Sequence, residues 1–222
     1  MFVRDYMTLN PITVTPETTF PQALNVIRKE KIRHLPVIDN GRLVGIMVEK
    51  DLLSNQPSPA TTLSVYEIYA LIETLHVRQM MKSPVITVEG DCPIEEAARI
   101  MVENQISCLP IMDGNALVGI ITETDIFKVL VNVLGGQQRG NRLTLRLPDR
   151  IGELAAASAR IAEAGGNIFA VTTARSRASN KAEVTIKETG ADREMLMKWL
   201  NESGIEVVDL RASEKYPPRL FG

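Results

Sequence analysis

Cysteine and histidine are scarce in this chain, which limits the chemistry that it can support. Its 222 residues include two cysteines and two histidines. Cys92 and Cys108 stand 16 positions apart and form no Cys-x-x-Cys pair. The sequence therefore predicts no metal site. Cys108 belongs to an apolar, strand-like run, which favours a buried or cavity-lining thiol over a nucleophile.

Long apolar runs are also missing. None approaches the roughly 18 residues that are needed to span a bilayer. The first residues, Met1 to Asp5, lack the basic and apolar regions of a secretory signal. A composition of 45% hydrophobic and 23% charged residues is typical of a soluble globular protein. We therefore expect a cytoplasmic protein with no membrane partner.

Neither sign of charge dominates the chain, whose formal net charge is −2. Residues 1–138 contain 11 Lys/Arg against 16 Asp/Glu, whereas residues 139–222 contain 14 against 11. Neither part has the basic excess of a nucleic-acid binder, so no nucleic-acid partner is predicted. The change of sign between the two parts indicates two domains.

The signatures of common catalytic sites are absent as well. The chain has no Gly-x-Ser-x-Gly elbow, no Walker A loop and no His-Glu-x-x-His motif. We therefore predict a protein that is not an enzyme, with no catalytic residues and no catalytic cofactor.

A repeat with a spacing of 74 residues organises the first part of the chain. The segment 45–51 (GIMVEKD) recurs as 119–125 (GIITETD), and 32–39 (IRHLPVID) recurs as 106–113 (ISCLPIMD). Each copy predicts a short strand (10–15 in the first), an amphipathic helix, a two-strand hairpin and a turn into a helix. Two copies at a fixed spacing predict a pseudo-symmetric pair.

These motifs resemble those of the CBS-domain family. Both copies have its opening (VRDYMT, VRQMMK), its Leu-Pro strand and its Gly-h-h-x-x-x-Asp turn, where h is apolar. The pair resembles a Bateman module, a regulatory sensor of adenosyl ligands. The resemblance implies an α/β pair with repeat 1 at 1–60, a connector helix at 61–76 and repeat 2 at 77–136. The helix itself is expected from Val65 to Leu75.

The two turns hold the first candidate ligand residues. By the resemblance, Asp51 and Asp125 would accept hydrogen bonds from ribose hydroxyls, which are stronger when the acceptor is charged. The Thr122 hydroxyl would meet a phosphate, whereas Val48 takes its place in the first copy. A second interpretation stays open, because Thr122-x-x-Asp125 also fits a helix capping box.

The strands that open the repeats and the hairpins hold the other candidates. The resemblance implies that the base lies against Ile12 and Thr13 at the Asp125 site, and against Val85 and Ile86 at the Asp51 site. Two basic side chains are expected at the Asp51 site, in contact with phosphate or else at a solvated strand end. Neutral neighbours are expected at the Asp125 site. These four residues are Arg33 and His34 for the first site, and Ser107 and Cys108 for the second.

A glycine-rich breaker at 135–140 predicts a domain boundary, and a different pattern follows it. Its order βαββαβ predicts a ferredoxin-like α+β sandwich at 142–213, with a tail at 214–222. Periodicity places strands at 143–147, 168–174, 182–187 and 205–210, a hairpin loop at 176–180, and helices at 151–164 and 193–200.

This second region resembles an ACT domain, on the segments 147–154 (LPDRIGEL) and 165–168 (GGNI). ACT domains pair, and many bind amino acids between the paired copies. Leu147 is apolar where amino-acid-binding members often have a polar side chain, so dimerisation alone is an equally open interpretation. The candidate ligand residues are Asp149, Arg150, Gly152, Asn167 and Ile168.

Together the resemblances imply a regulatory protein of the acetoin-utilisation type. Its CBS pair would sense AMP, ADP, ATP or S-adenosylmethionine, and its ACT domain would dimerise or sense a second small molecule such as an amino acid. A two-fold symmetric homodimer acting on a regulated protein is expected. The alternative is an adaptor that works by protein–protein contact with a ligand-free CBS pair.

Overall fold

A computed structural model describes residues 1–54, 73–175 and 180–212. The chain divides into two compact units, Met1–Phe127 and Lys128–Gly222. Most of the expected connector helix, at 65–72, lies outside the described residues, as does the hairpin loop at 176–179. The domain boundary at 135–140 stays a prediction.

The first repeat forms a helix that packs against a hairpin. Pro21 stands in the first turn of the helix, and the amide of Thr19 donates to the side chain of Gln22 just before it. Asn40 and Gly41 have positive φ angles and close the hairpin. The elements are β1 (Thr8–Leu9), α1 (Phe20–Glu30), β2 (His34–Asp39), β3 (Arg42–Val48) and α2 (Glu49–Ser54).

The second repeat has the same order of elements. They are β4 (Val88–Glu89), α3 (Ile94–Asn104), β5 (Cys108–Asp113), β6 (Ala116–Thr122) and α4 (Glu123–Val133). The helices and hairpins are those that the periodicity predicts. The strand expected at 10–15 is wrong, because among these residues only Val14 pairs, in a single bridge with Val37.

The opening of each repeat crosses to the hairpin of the other. β1 pairs with β6 at Thr8 and Ile120, so the second sheet has the order β1-β6-β5-β4. In the same way Lys82 bridges Ile46 on β3, with N···O distances of 2.9 and 3.0 Å in the two directions. This exchange brings the chain of one repeat to the turn of the other.

The second unit is a four-stranded antiparallel sheet with two helices. Its elements are β7 (Asn141–Pro148), α5 (Glu153–Glu163), β8 (Asn167–Arg175), β9 (Lys181–Thr189), α6 (Arg193–Ser203) and β10 (Glu206–Ala212). The strand order β10-β7-β9-β8 places the first strand beside the third and the fourth, which confirms the ferredoxin-like βαββαβ sandwich. Alternate residues of β7, such as Leu143, Leu145 and Leu147, are fully buried in the core.

The described residues contain neither a helix that could span a membrane nor a cluster of metal ligands. No described helix is long and apolar enough to cross a membrane. Nor do His, Cys, Asp and Glu side chains gather, in this part of the chain, in a group of three or more that could hold a metal ion.

Candidate ligand-binding site

A cavity of about 350 Å³ lies beside the first turn, between the two repeats. This volume is at the lower end of the range of roughly 300–1,000 Å³ that is usual for small-molecule sites. Its apolar wall includes Ile46, Val48, Val85, Ile86 and Ile106, and its charged lining consists of Lys50, Asp51, Lys82 and Glu123. An apolar slot with a few polar groups suits a flat ring joined to a polar tail.

Asp51 stands in the first turn of α2 and is half-buried in this cavity, with 21% of its side chain exposed. Val48, which precedes the helix, has no polar atom that could cap it. The Asp51 carboxylate instead forms an ion pair with Lys82, whose Nζ lies 3.3 Å from Oδ2. The partner of Asp51 thus comes from the opening of the second repeat.

Val85 and Ile86 line the same cavity, on the side that was expected to receive a base. Val85 packs against a small buried cluster of Ile46, Cys108 and Ile120, to which both repeats contribute. Ile46 and Ile120 are equivalent in the 74-residue repeat, so this cluster lies at the contact of the two copies. It gives the apolar wall a fixed backing.

Ser107 and Cys108 also line the Asp51 cavity, which the sequence did not predict, and their part in the Asp125 site stays a prediction. The start of β5 reaches the first turn because the two copies pack face to face. Cys108 is only 5% exposed, and burial, reinforced by the charge of Glu123, raises the pKa of its thiol to about 12. The thiol is therefore protonated at neutral pH and is a poor nucleophile.

The side chains of Arg33 and His34 lie beside the second turn, so their expected place at the Asp51 site is wrong. The guanidinium of Arg33 donates to the hydroxyl of Thr124 at 3.1 Å. Only the side chain crosses to the other repeat, because the carbonyl of Arg33 still accepts from the amide of Glu49 in its own turn, at 2.9 Å.

His34 is buried and neutral. Burial, helped by the charge of Arg33 and opposed by that of Asp125, lowers the pKa of His34 to about 4. A neutral imidazole does not offer a phosphate the positive charge that was expected of it. Its Nε2 lies 2.7 Å from the hydroxyl oxygen of Ser107, so His34 joins the second turn to a residue of the Asp51 cavity.

In the second turn, Asp125 accepts hydrogen bonds from a residue of the same turn. The amide and the hydroxyl of Thr122 both donate to Oδ2 of Asp125, at 3.1 and 2.7 Å. The hydrogen bond from the backbone amide of Thr122 is the one that the capping-box interpretation predicts. The single hydroxyl proton of Thr122 points to Asp125, so this group would have to turn before it could donate to a phosphate. Ile12 and Thr13 are exposed, and their contact with a base at this site stays a prediction.

The candidate ACT residues divide between the two ends of the sheet. Asp149 follows β7 and forms an ion pair with Arg175, the last residue of β8, at 3.2 Å. Asn167 opens β8, eight residues earlier, which corresponds to about 26 Å along a strand. One chain therefore does not bring the two groups together. Arg150 donates to Glu153 at 2.9 Å, Gly152 precedes α5 with a φ of 92°, and Ile168 packs on the core.

Sequence reasoning missed the charged lining of the Asp51 cavity, namely Lys50, Lys82 and Glu123. A signal for the two lysines was present in the repeat. Lys82 stands where the first copy has Thr8, and Lys50 stands where the second copy has Thr124. A difference in charge between equivalent positions of the two copies thus marked two residues that line the cavity.

Comparisons with known proteins agree with this architecture. The CBS domain model matches residues 3–58 and 77–132, and the TTHA0829-like ACT domain model matches residues 139–211. A CBS domain-containing protein of Dictyostelium discoideum is 30% identical over 136 residues, which cover 60% of this chain and 94% of that protein. An inosine-5'-monophosphate dehydrogenase of Methanocaldococcus jannaschii is 35% identical over 119 residues, but these are 53% of this chain and only 21% of the enzyme.

Two solved structures are also similar. A structure assigned to an acetoin utilization protein (AcuB) from Vibrio cholerae has 31% identity and a TM-score of 0.51, covering 62% of this chain and 95% of that one. The CBS domain pair of protein MJ0100 has 27% identity and a TM-score of 0.50, covering 62% and 98%. That pair was solved in complex with 5'-methylthioadenosine and S-adenosyl-L-methionine.

Proposed function

Because the chain belongs to the CBS-domain family, with a tandem CBS pair followed by a TTHA0829-like ACT domain, we propose that it is a non-catalytic regulatory protein that binds an adenosyl ligand. The observation that carries the proposal is the cavity between the repeats, where the Asp51 carboxylate stands beside an apolar slot. The binding of adenosyl ligands by the similar pair of protein MJ0100 supports it.

In the Asp51 cavity, each part of an adenosyl ligand has a counterpart. Val85 and Ile86 offer apolar surface to the base, and Asp51 offers a charged acceptor to the ribose hydroxyls. The hydroxyl of Ser107 is a further polar contact in the lining. The protein would bind the adenosine part of the ligand here, and the charged lining would determine which group attached to the adenosine is preferred.

A second site is proposed at the other turn, with Asp125 and Thr122 on one side and Ile12 and Thr13 on the other. Arg33 would supply its phosphate contact, because a planar guanidinium bonds two phosphate oxygens at once. This site has a competitor within the protein, since Thr122 already donates two hydrogen bonds to Asp125.

For the ACT domain we propose pairing with a second copy in a two-fold homodimer. An amino acid could bind only where one copy brings its Asp149 loop near Asn167 of the other, because a single chain holds these groups at opposite ends of the sheet. Regulation then requires that the adenosyl ligand binds two arrangements of the protein with different affinity, since a ligand without such a difference shifts nothing.

The adaptor function is the second candidate, and the second turn is the observation that favours it. Its aspartate is used as a helix cap, which needs no ligand. An adaptor would use the CBS pair as a rigid surface for another protein.

Thermal unfolding of the full chain in AMP, ADP, ATP, S-adenosylmethionine and 5'-methylthioadenosine tests the proposal. A ligand that binds only the folded protein stabilises it by about 2.7 kcal/mol at 100 times its dissociation constant. Asp51→Ala should abolish the part of this shift that arises in the Asp51 cavity. Asp91→Ala, which removes one exposed carboxylate elsewhere in the same unit, is the control. No shift with any of the five compounds would leave the adaptor as the conclusion.

A further inference from the structure

The lysine that forms the ion pair with Asp51 is not repeated at the equivalent position of the other copy. Lys82 Nζ lies 3.3 Å from Asp51 Oδ2, and both side chains line the cavity. At the other turn, Asp125 is bonded by Thr122 of its own repeat, and the position equivalent to Lys82 is Thr8. The two turns thus differ at this position, which is a lysine beside Asp51 and a threonine in the other copy.

The backbone of Lys82 is fixed, whereas its ammonium group is not. Its amide and carbonyl both bond to Ile46, at 2.9 and 3.0 Å, which holds the Cα against β3. The Lys82 side chain is 62% exposed, whereas the Asp51 side chain is only 21% exposed, so the ammonium lies at the open side of the pair. A half-buried carboxylate that lost its partner would be destabilised, but a ribose hydroxyl that donates to Asp51 would replace that partner. Lys82 can therefore exchange Asp51 for another anion when a ligand binds, while its backbone stays bonded to Ile46.

A ribose that binds Asp51 competes with Lys82 for the carboxylate oxygens. A neutral nucleoside would break or weaken the ion pair and would offer the Lys82 ammonium no anionic group in its place. A nucleotide would bring its own anion, so that Lys82 could move from the carboxylate to the phosphate and keep an ionic partner. The exchange favours anionic ligands over neutral ones.

We propose that Lys82 is the specificity-determining residue of the Asp51 cavity and makes it select an adenosine that carries a phosphate over neutral adenosine. This inference rests on the proposed function, since it assumes that Asp51 binds the ribose. It also replaces Arg33, whose side chain lies at the other turn, as the phosphate contact of this cavity.

Titration calorimetry of the full chain with AMP and with adenosine tests the exchange. Lys82→Met keeps the apolar stem and removes the charge. It should weaken AMP binding in the Asp51 cavity at least tenfold, which corresponds to about 1.4 kcal/mol. The same variant should bind adenosine as tightly as the original protein or a few times more tightly, because the Lys82 ammonium no longer competes with the ribose for Asp51. Lys82→Arg should restore the preference for AMP.

Lys50→Met is the comparison that separates ion-pair exchange from charge in general. Lys50 lines the cavity without the ion pair of Lys82, so its loss should weaken AMP binding less and should not tighten adenosine binding. Lys29→Met removes a lysine that is 75% exposed outside the cavity and should change neither. Asp51→Ala identifies the heats that belong to this cavity.

Three results would overturn the inference. Equal weakening of AMP and adenosine by Lys82→Met would mean that the ion pair only supports the structure. No change in either affinity would mean that Lys82 does not affect which ligand binds. Equal effects of Lys50→Met and Lys82→Met would assign the preference to the general charge of the cavity. If neither compound binds the original protein, or if Asp51→Ala changes nothing, the proposed function fails instead, and the two failures are distinguishable.

Discussion

His34 should make the stability of the first unit depend on pH. Its pKa falls from 6.5 to about 4 in the folded protein, mainly because the imidazole is buried beside Arg33. The unfolded chain therefore binds more protons than the folded one between these values. Stability is fully present above about pH 6.5 and decreases as the pH falls towards 4. The slope is about 1.4 kcal/mol per pH unit, so the full loss is about 3 kcal/mol.

The substitution His34→Gln removes this titration and keeps an amide that can bond to the hydroxyl of Ser107. We expect the original protein to be more stable than the variant at pH 7.5, and to lose that advantage as the pH falls. Urea unfolding at half-unit steps from pH 7.5 to 4.5 measures the difference. The difference matters rather than either curve, because many carboxylates also titrate at low pH and affect both proteins alike.

Two controls make the measurement specific to His34. His76→Gln changes the other histidine, whose Nδ1 lies 2.9 Å from the carbonyl oxygen of Thr74, and should leave the pH dependence of the original protein in place. Trp199, the single tryptophan, belongs to the second unit, so its fluorescence follows that unit separately from circular dichroism. A difference between the original protein and His34→Gln that stays constant within about 0.5 kcal/mol across this range would refute the argument.

Three further predictions concern the second unit and the assembly. Glu188 is fully buried, and its carboxylate accepts hydrogen bonds from the side chain of Asn141 at 2.7 Å and from the amide of Ala191 at 3.0 Å. Glu188→Ala leaves both donors without this acceptor, so urea unfolding should show a loss of about 2–4 kcal/mol in stability. Sedimentation velocity at micromolar concentration should give a dimer, and a monomer with and without AMP would contradict the pairing of ACT domains. Hydrogen exchange should change across residues 126–141 when AMP is added, because α4 begins at the second turn; changes confined to the cavity would indicate a binder without regulation.

The ligand preferences of the two sites also need revision. The sequence predicted that the Asp51 site would depend on phosphate through Arg33 and His34, and that the Asp125 site would be nearly neutral. The structure moves Arg33 to the Asp125 turn and shows a histidine that is neutral at pH 7. Salt should therefore weaken AMP binding at both sites, through Lys82 at the first and Arg33 at the second. Asp51→Ala and Asp125→Ala should each remove one class of sites in calorimetry.

The elements and their order could be predicted because they depend on local patterns. The apolar period of α1, the Asn40-Gly41 turn and the strand–turn–helix at Asp125 are each decided within a few residues. The 74-residue spacing predicted a pair of similar folds, and the βαββαβ pattern predicted the sandwich. A capping box at Thr122 could also be predicted, since its hydrogen bond joins residues three apart.

The partners of the side chains at the cavity could not be predicted in this way. A repeat shows which residues are equivalent. Its spacing does not show whether a side chain at the end of a strand contacts the turn of its own copy or the turn of the other copy. Packing decides this, because the buried contact of Ile46 with Ile120 sets the two copies face to face. That arrangement sends Arg33 to Thr124, brings Cys108 to the Asp51 cavity and delivers Lys82 to Asp51. The sequence by itself thus determined two similar folds and the candidate aspartate of each. Only the tertiary structure decided which charged side chains surround each aspartate, because those side chains come from residues that lie far apart in the chain.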